Sequence, residues 1–127
     1  MPRQPIHSDR APAAIGPYSQ AVRAGNTIYL SGQTPIDPAT GQLVEGDIQA
    51  QARRAFDNLK AVCEAAGGSF DDIVRVGLYL TDLGQFGEVN AVMADYFEEP
   101  HPARSTIGVA ALPKDSAFEV DAVMVLG

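Results

Sequence analysis

The chain has 127 residues, 46% hydrophobic and 20% charged, which suits one globular domain with a sizeable core and argues against disorder. Nine Lys and Arg against sixteen Asp and Glu leave a formal charge of −7, the wrong sign for unspecific binding to nucleic acid or anionic membranes. One cysteine excludes an internal disulfide framework, no apolar run approaches the ~20 residues of a membrane span, and Met1-Pro2-Arg3-Gln4-Pro5 lacks a signal peptide's apolar core, so the expectation is an acidic cytoplasmic protein.

Residues 1–17 hold four of the nine prolines and predict an extended arm. Tyr18 to Ala24 alternates loosely, Gly25-Asn26 is a turn, and Thr27 to Ser31 is β-rich. Together they predict a hairpin. Gly32 interrupts the run, which signals a bulge or a close backbone approach. Pro35 to Gln42 contains the turn sequence Asp-Pro-Ala-Thr-Gly.

Ile48, Ala52, Ala55, Phe56, Leu59, Val62, Cys63 and Ala66 recur every three or four residues and predict a helix. Asp47 is its N-cap, and Gly67-Gly68 its left-handed stop. Ile73 to Thr81 predicts a strand, with Val74, Val76, Leu78 and Leu80 on one face and Arg75, Gly77, Tyr79 and Thr81 on the other. A second helix is expected over about Gly84 to Glu98, ended by Pro100 and Pro102. Ala103 to Val109 is a strand, Leu112 to Asp115 a turn, and Ala117 to Leu126 a final strand.

This order predicts an α+β fold, a single mixed sheet with both helices on one face. The other face then carries Val123 and Val125 beside Glu119 and Asp121. Valines mixed with carboxylates there suggest a subunit interface, although an antiparallel sheet also tolerates solvent on one side.

Arg104 stands in Pro-Ala-Arg-Ser-Thr-Ile among small residues. Its planar fork suits a small carboxylate, and the competing reading is a strand arginine paired with an Asp or Glu of the chain. If the 112–115 turn closes a hairpin, Glu119 lies in the neighbouring strand. It then serves as a base that holds water, or as one half of a salt bridge, with Asp121 as its rival on the same face. Tyr18, after Ile-Gly-Pro, offers a phenol to an anion or is simply half-buried.

Cys63 lies on the apolar stripe and reads as inert. His7 and His101 have no ligand spacing, so no metal site is expected. No G-x-G-x-x-G, P-loop or G-x-S-x-G is present, and no cofactor is expected.

Six stretches in order carry more. They are Ala-Pro-Ala-Ala-Ile-Gly-Pro-Tyr-Ser-Gln (11–20), Ser-Gly-Gln (31–33), Ala-Gln-Ala-Arg-Arg-Ala-Phe-Asp-Asn-Leu-Lys (50–60), Val-Asn-Ala (89–91), Pro-Ala-Arg-Ser (102–105) and Ala-Leu-Pro-Lys-Asp (111–115). With these the chain resembles the RidA/YjgF family of reactive intermediate deaminases.

The resemblance implies a chorismate mutase-like homotrimer whose sheets form a central β-barrel, with sites between subunits. It implies hydrolysis of 2-iminopropanoate and 2-iminobutanoate, released by pyridoxal-phosphate dehydratases, to 2-oxo acids and ammonia. By position, Arg104 resembles the arginine that grips the substrate carboxylate, Glu119 the glutamate that holds water, and Tyr18 the tyrosine at the pocket mouth. Ser31 and Gly32 resemble the segment whose backbone nears the substrate, and Phe86 and Asn90 match positions beside the cleft; a backbone carbonyl near Thr106 would steady the imino nitrogen. Thr106 departs from the cysteine found in several bacterial members, and Asp121 replaces a commoner longer carboxylate. Some relatives carry a ribonuclease or translation-inhibitor label, which the −7 charge disfavours. A non-catalytic, carboxylate-binding or chaperone-like trimer is the third reading.

Overall fold

A computed structural model describes residues 3–127; Met1 and Pro2, part of the expected arm, lie outside the described residues. Six strands and two helices follow the order β1 (Gln4–Ile6), β2 (Ala21–Ala24), β3 (Thr27–Gln33), α1 (Ile48–Ala65), β4 (Ile73–Leu80), α2 (Phe86–Met93), β5 (Ala103–Gly108) and β6 (Phe118–Val125). The strands form one open mixed sheet in the order β1-β2-β3-β6-β4-β5, in which only β4 and β5 run parallel. The α+β class and the single mixed sheet are as expected.

Local chemistry places α1 where the pattern does. Asp47 Oδ1 accepts the Ala50 N–H at 2.9 Å, satisfying one orphan donor of the first turn. At the other end Gly67 adopts φ +89°. Its N–H reaches Glu64 O and the Gly68 N–H reaches Cys63 O, both at 3.0 Å, the paired bonds of a Schellman stop. The helix lies over β3 and β6 and against α2. Phe56, Leu59 and Val62 are completely buried with Val76, Leu78, Phe118 and Val120 in one core. Each such side chain contributes about 1.5–3 kcal/mol by leaving water.

The arm is more structured than expected. Gln4–Ile6 adds a strand to β2, and the buried Gln20 amide binds the following loop. Gln20 Oε1 accepts the Ser8 N–H at 2.7 Å, and its Nε2 donates to Pro12 O at 2.8 Å. Those bonds hold Tyr18 in a loop, so the strand starts at Ala21 rather than at Tyr18. The predicted hairpin turn is present, with Gly25 at φ +65°.

Two further expectations differ from the fold. The predicted inward face of β4 included Val74, which is 48% exposed, while Ile73 is buried. The register against β6 shifts between Ile73 and Arg75, and one extra residue reverses the parity of the strand start. The second helix ends at Met93, short of Glu98. Beyond it the chain tightens, with Asp95 N–H to Val92 O at 2.9 Å and Tyr96 N–H to Met93 O at 3.0 Å. This turn carries Tyr96 and Phe97 inward, where Phe97 stacks on Phe70 at 4.7 Å and Tyr96 on Phe56 at 5.2 Å. Aromatic packing outweighs continuation of the helix there.

Candidate functional site

Arg104 projects from β5 on the face that packs against α2. It lies opposite Val76, which is wholly buried beneath the helices. Its Nη1 donates to Asn90 Oδ1 at 2.7 Å and touches Met93 Sδ at 3.6 Å, and its guanidinium stands 5.0 Å from the Phe86 ring centroid. The ring face stabilises the cation without neutralising it. Among the described residues no carboxylate pairs with Arg104. The competing reading of a strand arginine locked to an internal acid is therefore not what the fold holds. The side chain opens instead on a cleft of about 480 Å³ lined by Asn90, Met93, Phe97, His101 and Pro102.

Thr106 lies two residues along, on the same face as Arg104 by strand alternation. The Val109 N–H donates to Leu80 O at 2.9 Å, so the odd-numbered backbone groups of β5 turn toward β4. Alternation turns the N–H and C=O of Thr106 outward, along the free edge of the sheet.

Glu119, Gly32, Ser31 and Tyr18 form a second group. Glu119 projects from β6 on the open face, opposite Tyr79. The β3 register breaks between Leu30 and Gln33, so Gly32 sits in a bulge and the Glu119 carboxyl lies across it. A Cβ at Gly32 would come within 2.7 Å of Glu119 Cδ. Both meanings of the interrupting glycine, a bulge and a close approach, are thus realised at one residue. Ser31 Oγ donates to Ser19 O at 2.6 Å, tying this strand to the loop that bears Tyr18. Tyr18, half-exposed, and Gly32 line one pocket of about 210 Å³ with Gln33, Thr34 and Lys114.

Glu119 and Asp121 share a face but not a state. Asp121 accepts the Tyr79 hydroxyl at 3.1 Å. Burial first and the neighbouring Asp121 charge second hold that phenol above its ordinary pKa, so it remains a donor. Glu119 makes no hydrogen bond or ion pair among the described residues. Half-burial, and then the charge of Asp121, push its pKa upward. A partly desolvated, unpaired carboxylate is suited to accept a proton.

The two groups are not brought together within one chain. β4 separates β5 from β6, so Arg104 and Glu119 are not in adjacent strands as the hairpin expectation had them. Their partners in β4 also differ in parity: Arg104 pairs with Val76 and Glu119 with Tyr79. The guanidinium therefore faces the helices, and the carboxyl faces away from them.

A family model described as Endoribonuclease L-PSP matches residues 8–126. The chain belongs to this family, which is the RidA/YjgF family. Among its relatives, the 2-iminobutanoate/2-iminopropanoate deaminase of Mus musculus is 46% identical over 125 residues, covering 98% of this chain and 93% of that protein. The crystal structure of RidA from an Antarctic Psychrobacter is 50% identical with a TM-score of 0.93, covering 97% and 99% of the two chains. That of E. coli TdcF with bound serine is 41% identical with a TM-score of 0.91, covering 98% and 99%.

In this RidA/YjgF chain, sequence reasoning overlooked three side chains that shape the groups. Met93, read only as part of an apolar stripe, touches Arg104. Gln20 and Asn58 are buried amides that hold loops in place. Asn58 Nδ2 donates to Ile36 O at 2.8 Å and to Thr34 O at 3.2 Å. The available signal was an amide within a helix's apolar stripe, because a buried amide must find backbone partners. Among the described residues no three His, Cys, Asp or Glu are grouped to hold a metal ion, and no helix is long and apolar enough to cross a membrane.

Proposed function

We propose that this protein is a cofactor-free deaminase of small 2-imino acids, hydrolysing 2-iminopropanoate and 2-iminobutanoate to the 2-oxo acids. The observation that carries the reading is an arginine held by Asn90 and Phe86, without a carboxylate partner, over an open cleft. Two relatives lend weight: one is named for this activity, and the other, in its crystal structure, holds serine, a small carboxylate.

Arg104 binds the substrate carboxylate and orients the imine carbon. Glu119 of a second copy takes a proton from water as its oxygen bonds to that carbon. The resulting carbinolamine expels ammonia once its nitrogen receives the proton. One water is consumed, and one ammonia is released for each 2-oxo acid formed. The outward carbonyl of Thr106 steadies the imino nitrogen, a role for which the main chain suffices and cysteine is not needed. Ser31 and Gly32 bring backbone close to the substrate, and Tyr18 closes the mouth.

Assembly completes the site in this reading. Three copies meet through their open faces, burying Tyr29, Ile107 and Val125, which a single chain leaves exposed. The sheets then form a central barrel, and each Arg104 meets the Glu119 group of a neighbour. The substrates come from pyridoxal-phosphate dehydratases, which release unstable enamines. The barrier to be removed is small; ~3 kcal/mol gives about a hundredfold.

The test is 2-oxobutanoate release in a coupled assay with threonine dehydratase. Arg104→Ala abolishes the acceleration while fold and assembly persist. Arg104→Lys restores little, because an ammonium lacks the planar fork. Unaltered acceleration by Arg104→Ala would overturn the reading. The ribonuclease reading, which the family description carries, meets a net charge of −7 that repels a polyanion.

A further inference from the structure

The pocket beside Tyr18 and Gly32 contains a cation that the proposed chemistry does not use. Lys114 lines it, and Lys114 Nζ donates to Gly41 O at 3.0 Å. Among the described residues no carboxylate pairs with this ammonium. A carbonyl satisfies one of its three donors and leaves the charge uncompensated.

The backbone that presents Lys114 is unusual. Lys114 and Asp115 both adopt φ +58°, a left-handed pair without a glycine. Such conformations are costly for ordinary residues and cluster where a side chain must be aimed. Gly41, at φ +74°, presents the carbonyl that receives the lysine. Lys114 thus straps the turn around Asp37–Gln42 to the pocket rim.

The remaining walls define what fits. Pro12, Ile15, Ile36 and Pro38 are apolar, and Gln33 and Thr34 are buried polar neighbours of Gly32. About 210 Å³ admits a short carbon chain but not a drug-sized molecule. An apolar sleeve with one unpaired cation at its rim suits an alkyl chain that ends in an anion.

We infer that this pocket is a subsite for a second carboxylate, so that the protein also takes four- and five-carbon 2-imino dicarboxylates. The inference rests on the proposed function: the first carboxylate meets Arg104, and the substituent beyond the imine carbon runs past Gly32 toward Lys114. Monocarboxylate substrates leave the ammonium on Gly41 O. Dicarboxylates draw it onto their distal carboxylate, forming a charge-assisted bond stronger than the one it replaces.

Direct binding tests this without turnover. Calorimetric titration of the wild-type protein with 2-oxoglutarate and with 2-oxobutanoate is expected to show the dicarboxylate binding roughly tenfold tighter. Lys114→Met keeps the length of the stem and removes the charge, and the affinity ratio falls to near one. Lys114→Arg retains most of the preference. Equal affinities in the wild type, or a preference that survives Lys114→Met, overturn the subsite. The parent reading fails by a different measurement, 2-iminobutanoate turnover that ignores Arg104→Ala, so the two failures are told apart.

Discussion

Glu119 rests on Gly32, its carboxyl occupying the space where any other residue would carry a side chain. The glycine, the bulge around it and the half-buried position of the glutamate are one arrangement. A methyl there meets the flexible end of Glu119 rather than backbone, so the glutamate moves and the sheet does not. Gly32→Ala is therefore expected to leave the melting temperature within a few degrees of wild type. Imine hydrolysis falls by about tenfold or more as the carboxylate is displaced. Thermal melts and the coupled assay read the two effects separately, and full activity with an alanine at this position would remove Gly32 from the site.

The pH profile follows from the same contact. In the proposed function Glu119 accepts a proton only when ionised, so the rate is expected to rise with pH through a value above the ordinary carboxylate range, then level. Burial is the first cause of that elevation and the Asp121 charge the second. Asp121→Asn removes the second cause and moves the acid limb to lower pH, and Glu119→Gln abolishes the limb with the activity. For stability the sign is the reverse of a salt-bridged carboxylate. The folded state binds this proton more tightly than the unfolded chain, so ionising Glu119 between the unfolded and the raised folded pKa weakens folding, and acidification through that window strengthens its contribution. An acid limb that stays in place in Asp121→Asn would show that the two carboxylates do not interact.

The guanidinium and the carboxyl face opposite sides of one sheet, so in the proposed function they act together only when two copies supply them. Arg104→Ala and Glu119→Gln are each expected to be inactive alone. Refolded together in equal amounts, they regenerate intact sites wherever an Arg104 from one variant meets a Glu119 from the other, about a quarter of all sites in a random mixture. Recovery of activity on mixing checks this, and two variants that stay silent together would place both residues in a single-chain site.

Asn58 tests what holds the pocket walls. It is completely buried in α1 and binds the carbonyls of Thr34 and Ile36, with Arg54 Nε donating to its own Oδ1 at 3.1 Å. Asn58→Ala strands two carbonyls and is expected to cost about 1–3 kcal/mol in denaturant unfolding. Asn58→Asp fares worse, because it replaces a donor with a buried charge.

Much of the fold was legible in local chemistry. The Asp47 cap, the Gly67-Gly68 stop and the hairpin at Gly25-Asn26 each follow from one residue type meeting one backbone requirement, and each is present. Gly32 announced its own bulge. Arg104 among small neighbours stood out as a candidate with room for a partner, and the motif words named the family. The end of α2 was less legible, since Tyr96 and Phe97 continue a helical stripe yet are drawn off it by Phe56 and Phe70.

Sequence by itself determined the caps, the turns and most of the apolar faces, and it offered the candidate residues, because these depend on side chains within a few positions of one another. Only the tertiary structure decided that β6 inserts between β3 and β4, that Glu119 has no partner among the described residues while Asp121 is engaged by Tyr79, and that Arg104 points the other way. Strand order and parity are fixed by pairing across long sequence separations, and a one-residue bulge reverses which face a side chain takes. No local pattern encodes that choice, yet it is what divides the candidate site between two surfaces.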